Sequence, residues 1–317
     1  MARILLTSRL FDPALDALAD HDVALPKPKG SMSAEEIISS ARDADAIICQ
    51  LTDRIGEAVL VACPHLKVVA TVSVGFDNVD VAAATRAGIP VCNTPGVLAE
   101  TTADLAFALI LAASRVMSDS ERDLRQGGYK KWELDGYLGQ DVYGATLGLI
   151  GYGRIGQAVA KRAEGFSMRV IHHDLSPTGL AGYVEDLDEL VSEADVVSLH
   201  VPLTPETHHL IDARRLALMK PTAVLVNTAR GPVVDEEALG ASLESGQLFA
   251  AGIDVYEHEP TVHPRLLAAP RAVLLPHVGS ASSATRLAMA KLATSAVADV
   301  LAGGRPANTV NPEVYDK

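Results

Sequence analysis

Aromatic side chains are scarce in this sequence: seven Tyr, five Phe and one Trp, 4 % of 317 residues. A protein that grips single strands by base stacking needs more rings than that. Apolar residues still make up 48 %, so the core is built from Ala, Val, Leu and Ile, and intrinsic disorder is excluded. Positive charge is in deficit, with 27 Lys and Arg against 40 Asp and Glu and a net charge of −13. Phosphate backbones and anionic lipid surfaces repel such a surface, so neither nucleic acid nor a membrane is expected as a partner. Cysteine is rare: Cys49, Cys63 and Cys92 are odd in number and lack C-x-x-C spacing. That argues against a disulfide framework and a zinc site, and for a reducing, cytoplasmic compartment. Long hydrophobic runs are missing as well. The start MARILLTSRLFDP loses its apolar run at Leu6 and reads as a first strand, not a signal peptide. The greasiest stretch, 105–113, is too short to span a bilayer.

What the chain does have is alternation. Strand-like runs stand at 3–8, 46–51, 68–74, 146–152, 168–174, 195–201, 223–229, 250–256 and 272–278. Helical stretches lie between them, among others at 154–165, 187–194, 212–219 and 236–246. Such alternation predicts parallel sheets covered on both faces, with strands that are near-continuous apolar runs. A long helix is expected after the Pro95-Gly96 turn, with Thr101 and Asp104 as a capping box and an end near Ser118. It reads as the bridge between two domains. A final helix over 282–304 closes with Gly-Gly-Arg-Pro and is expected to return to the first domain. The expected division is therefore 1–97 with 286–317 as one domain and 98–285 as a larger domain inserted into it.

The strongest local motif is Gly151-Tyr-Gly153-Arg-Ile-Gly156, between a predicted strand and a predicted helix. Gly151 permits the tight turn, Gly153 lets a pyrophosphate approach the backbone, and Gly156 lets helix and strand pack closely. The helix start offers unbonded N–H groups and a positive dipole end to the phosphates. Asp174 ends the next predicted strand. A carboxylate there accepts the adenosine ribose hydroxyls and repels a 2′-phosphate, so NAD is expected, with NADH favoured over NADPH. His172 and His173 precede it without the spacing of a metal site.

Further on, polar residues end successive apolar strands, where open parallel sheets bind ligands. Arg230 follows AVLVNTA, Asp254 and Glu259 follow AAGI, and His277 follows AVLLP. A guanidinium binds a carboxylate in bidentate fashion and polarises a carbonyl. An imidazole delivers a proton near neutral pH, and a neighbouring carboxylate favours its protonated form. Together they suit the reduction of a 2-keto acid beside a nicotinamide.

Several stretches, in order, resemble the D-isomer-specific 2-hydroxyacid dehydrogenase family: TVSVGFDNVD, TPGVLAETTADLAFALIL, GYGRIGQAVAKRA, VPLTPET, LVNTARGPVVDEEAL, AAGIDVYEHEP and LLPHVGSAS. Within the family, LTDRI (51–55) and EHEPTVHPRLL look most like glyoxylate/hydroxypyruvate reductases. The resemblance implies an α/β fold of two doubly wound parallel-sheet domains, a Rossmann-type NAD domain inserted into a smaller flavodoxin-like substrate domain. It implies hydride transfer from NADH to a small keto acid. Arg230 would hold the substrate, His277 would donate the proton, and Glu259 would pair with it; the backbone of Val74 and Gly75 would bind the substrate carboxylate. Thr102, Arg154, Ile155, Asp174, Thr228, Asp254 and Gly279 would touch the dinucleotide. It further implies a homodimer joined through 98–140, with Trp132 in the loop after the bridge helix; Leu51 is read as one pocket wall. Many relatives of the reductase type prefer NADPH and carry Arg or Ser near the second strand's end, whereas this chain keeps Asp174. Phosphoglycerate and phosphite dehydrogenases share the catalytic pattern. So do NADH-sensing binding proteins such as the C-terminal-binding-protein corepressors.

Overall fold

The computed structural model describes residues 1–25 and 32–316. The chain folds as two compact units, Met1–Leu98 with Ala281–Lys317, and Ala99–Ser280.

The first unit holds β1 (Arg3–Leu6), β2 (Asp22–Ala24), β3 (Ala46–Cys49), β4 (Val68–Thr71) and β5 (Val91–Cys92), all parallel, in the order β2-β1-β3-β4-β5. This is the flavodoxin-like order. The central β3 and β4 are buried along their whole length, which is why they read as unbroken apolar runs. The helix Ser283–Leu301 packs on β3 and β4 and on the first helix, Asp12–Leu15. Its N-cap is Ser282, whose hydroxyl accepts the Thr285 N–H at 3.2 Å. The chain thus returns to its first unit just ahead of that cap.

The second unit holds β6 (Thr146–Ile150), β7 (Arg169–His173), β8 (Val196–Leu199), β9 (Val224–Asn227), β10 (Ala250–Ile253) and β11 (Ala272–Leu274). They are parallel in the order β11-β10-β9-β8-β6-β7. From β6 the chain goes to one side for β7 and to the other for β8. That reversal opens a crevice at the carboxyl ends of β6 and β8, where doubly wound sheets bind ligands. Each face carries its own core, one around Leu190, Leu225 and Leu243, the other around Leu109, Leu147 and Val159. The two-domain α/β architecture is the one expected.

The bridge helix differs from expectation. It runs Ala99–Ser114, so Thr101 lies inside it and is not its cap. Asp104 instead pairs with Arg162, 2.5 Å away on the helix Arg154–Glu164. The helix stops short of Ser118 because the Ser114 carbonyl accepts the N–H of Gln140 at 2.7 Å. Val116 then turns left-handed, with φ of 45°, and a second helix, Met117–Arg125, begins. Among the described residues no single helix is long and apolar enough to cross a membrane.

Candidate active site

The loop after β6 is built around glycine. Gly151 has φ of +91°, and a Cβ there would fall 2.7 Å from the His200 carbonyl. A Cβ on Gly156 would fall 2.2 Å from the Gly151 oxygen. Both positions exclude a side chain because backbone lies against them. Gly153 is different: nothing stands within 4 Å of its missing Cβ. It opens the helix Arg154–Glu164 with no side-chain cap, so Arg154 and Ile155 are its first residues and its leading N–H groups lack an intrahelical partner. Asp174 accepts the Tyr152 N–H at 2.8 Å on one oxygen and the Leu175 N–H at 2.8 Å on the other. The acid is thereby tied to the glycine loop itself. Beneath lies an aromatic stack that the sequence did not announce. Fully buried His172 lies 3.8 Å from the Tyr152 ring, and burial pulls its pKa down. His173 faces the Val184 carbonyl at 3.1 Å.

The three proposed chemical residues all lie in this unit, and two of them are in direct contact. His277 Nδ1 and Glu259 Oε2 are 2.8 Å apart, with side chains 23 % and 20 % exposed. Glu259 also accepts the Tyr256 N–H at 3.1 Å. Burial raises the Glu259 carboxyl, but the hydrogen bond and charge of His277, the Tyr256 N–H and the charge of Arg230 outweigh it. The net result lies below the ordinary value. His277 itself sits left-handed, with φ of +53°, a conformation that costs on the order of 1 kcal/mol for such a residue.

Backbone contacts explain how these side chains are aimed. Asp254, buried after β10, accepts the Val278 N–H and the Gly279 N–H, each at 2.8 Å, while its carbonyl accepts the His277 N–H at 2.8 Å. Burial raises its carboxyl despite those two donors. Gly279 lies over Thr102, whose side chain would be 3.6 Å from an added Cβ. Asn227, unnoticed in the sequence, is buried at the end of β9. Its Nδ2 donates to the Arg230 carbonyl at 2.9 Å and its Oδ1 accepts the Ala229 N–H at 3.0 Å. A buried amide ending an apolar strand is the signal that would have found it. His200, also missed, follows β8 with Nε2 3.0 Å from the Ser198 hydroxyl, and burial pushes its pKa down to about 3.

A dinucleotide fits these residues. The open face at Gly153 and the uncapped helix start suit a pyrophosphate. The buried Thr228 hydroxyl has no hydrogen-bond partner among the described residues. No group of three or more His, Cys, Asp or Glu that would hold a metal ion occurs among them. Val74 and Gly75 lie in the other unit, beyond β4. Their carbonyls accept Asn93 Nδ2 at 2.7 Å and the Ser73 hydroxyl at 2.6 Å. Leu51 is half-buried and Trp132 is 73 % exposed.

Comparison with known proteins identifies relatives of this chain. Residues 107–279 match the family model of the D-isomer specific 2-hydroxyacid dehydrogenase NAD binding domain. A glyoxylate reductase of Thermococcus onnurineus (strain NA1) is 42 % identical over 324 residues, covering 99 % of this chain and 97 % of the relative. Another, from Korarchaeum cryptofilum (strain OPF8), is 44 % identical over 321 residues, covering 98 % and 96 %. The solved structure of the TT0316 protein from Thermus thermophilus aligns with a TM-score of 0.92 at 46 % identity, covering 97 % of this chain and 99 % of that one. By that match and by these full-length relatives, the chain belongs to the D-isomer-specific 2-hydroxyacid dehydrogenase family of NAD-binding oxidoreductases.

Proposed function

We propose that this chain reduces glyoxylate or hydroxypyruvate to the D-2-hydroxy acid, taking NADH in preference to NADPH. The observation that carries the reading is the 2.8 Å His277–Glu259 pair, with Arg230 following β9 in the same unit. Bound NADH supplies the hydride. Arg230 binds the substrate carboxylate and stabilises the charge that develops on the keto oxygen. Glu259 holds Nδ1 of His277, whose Nε2 gives a proton to that oxygen. The backbone N–H groups of Val74 and Gly75 bind the substrate carboxylate. Thr102, Arg154, Ile155, Thr228, Asp254 and Gly279 serve the dinucleotide, Asp254 by fixing the 277–279 turn. Asp174 takes the ribose hydroxyls. The names of the two curated relatives favour this reaction over phosphoglycerate or phosphite oxidation.

The test mixes protein, NADH and each keto acid, and follows the loss of NADH absorbance. Turnover is expected with glyoxylate or hydroxypyruvate. In His277→Ala, turnover falls on the order of 10²–10⁴-fold while the NADH dissociation constant barely moves. NADH binding without turnover of any acid means a sensor rather than an enzyme.

A homodimer through the 98–140 region goes with this reading. Met117, Leu124, Trp132, Leu134 and Leu138 are all more than half exposed, an apolar concentration that a second copy would cover. A dimer mass is expected in solution, and Trp132→Glu with Leu134→Glu should yield monomer; a monomeric parent protein refutes the assignment. The cytoplasm suits three buried free cysteines.

A further inference from the structure

Glu236 opens the helix Glu236–Ser245 behind the N-cap Asp235. A glutamate in a first turn ordinarily lies in water, yet this one is 4 % exposed. Its carboxylate reaches across to the segment that follows β10. One oxygen accepts the Glu257 N–H, and the other accepts the His263 N–H at 2.9 Å. The contact is returned: the Glu257 carboxylate accepts the Glu236 N–H at 2.8 Å and faces His209 Nε2 at 3.3 Å. His209 in turn donates its N–H to the Pro232 carbonyl at 2.7 Å. Between Glu257 and His263 lies Glu259, the partner of His277. Just before Pro232 stands Gly231, where a Cβ would fall 1.8 Å from the Tyr256 carbonyl carbon. The Arg230 turn and the Glu259 segment are therefore pressed together and clipped by one buried acid.

We infer that Glu236 is a positioning residue, which pins both ends of segment 257–263 so that Glu259 meets His277. This rests on the roles proposed above for Glu259 and His277. Only a carboxylate serves both ends, since each oxygen accepts from a backbone N–H and neither has a donor to give. Burial of a charge is costly unless such donors compensate it. An amide in its place keeps one bond and turns N–H against N–H at the other.

The experiment is a double-mutant cycle in the full chain with Glu236→Gln and Glu259→Gln. Glu236→Gln should lower kcat on the order of 10- to 100-fold, the scale of a reacting group displaced by about 1 Å. The KM of the keto acid and the affinity for NADH should stay near those of the parent protein. In the Glu259→Gln background the same substitution should cost almost nothing further, because its effect passes through Glu259. A role in stability alone predicts losses that multiply, or an unchanged kcat, and either result overturns the inference. Glu236→Asp, which keeps the charge but is too short to span both N–H groups, repeats the cycle should the glutamine variant not fold. Parent-like turnover in His277→Ala and Glu259→Gln would instead strike the underlying reading and leave the clip as architecture.

Discussion

At the scale of single residues, two positions separate contact from chemistry. Asp174 gives one oxygen to the N–H of Tyr152, the residue between the first two glycines of the motif. Its charge therefore stands at the glycine loop, where a ribose 2′-phosphate would be repelled. Asp174→Ala should lower the ratio of NADH to NADPH kcat/KM on the order of tenfold or more, an interaction worth about 1.4 kcal/mol. An unchanged ratio would remove the acid from the ribose site. Gly231 tests geometry without touching charge. A methyl group there meets the Tyr256 carbonyl carbon and the Glu257 nitrogen, at 1.8 and 2.4 Å. Neither atom retreats without moving the segment that carries Glu259. Gly231→Ala should cost about 1–3 kcal/mol of stability and reduce kcat more than it raises KM. A variant with parent-like Tm and kcat would show that the two turns yield easily.

At the scale of elements, what was legible in the sequence follows from burial. The strands β3, β4, β8 and β9 are buried at every position, so their apolar runs were plain. The strands β2 and β5 were not, because three residues at a half-exposed edge and two residues at the other edge carry no pattern. The G-x-G-x-x-G loop was legible since its glycines answer local backbone demands. Arg230, Glu259 and His277 were legible as polar ends of apolar strands. Asn227, His200 and Glu236 were not, for their partners are backbone groups set by tertiary packing. The end of the bridge helix was misjudged for the same reason. Nothing in 114–118 forbids helix; the stop comes from Gln140, whose N–H takes the Ser114 carbonyl. The neighbouring Gly139 lies so close that a Cβ would stand 2.4 Å from that oxygen. Gly139→Ala should therefore destabilise by about 1–3 kcal/mol. For a unit the size of Ala99–Ser280 that lowers Tm by several degrees, at roughly 2–4 °C per kcal/mol. An unaltered Tm in a thermal melt would mean that another contact ends the helix.

At the scale of the whole molecule, the ligand crevice of the second unit contributes to pH-dependent stability. His200 lies at the switch point, its backbone N–H donating to the Ile150 carbonyl at 2.7 Å. Burial lowers its pKa from about 6.5 to about 3, so the folded chain keeps the ring neutral over a range in which the unfolded chain protonates it. The unfolded state then binds more protons, and stability falls as pH drops from about 6.5 towards 3. Each tenfold difference in proton affinity is worth about 1.4 kcal/mol, so the full effect is a few kcal/mol. Glu259, held below its ordinary value, adds loss in the same direction at lower pH. Asp254, raised by burial, opposes it, gaining stability as pH falls through its elevated value. His200 is distinguished by where its window opens, above the carboxylate range. His200→Gln removes that proton-linked loss and retains a side chain able to meet the Ser198 hydroxyl. At pH 7 the variant should melt below the parent protein, because the imidazole's packing is lost. The gap should narrow by about 4 °C or more between pH 7 and pH 4.5, before most carboxylates titrate. A gap that stays constant across that interval would mean that His200 accepts its proton in the folded state at ordinary pH, and that the crevice is wetter than its burial implies.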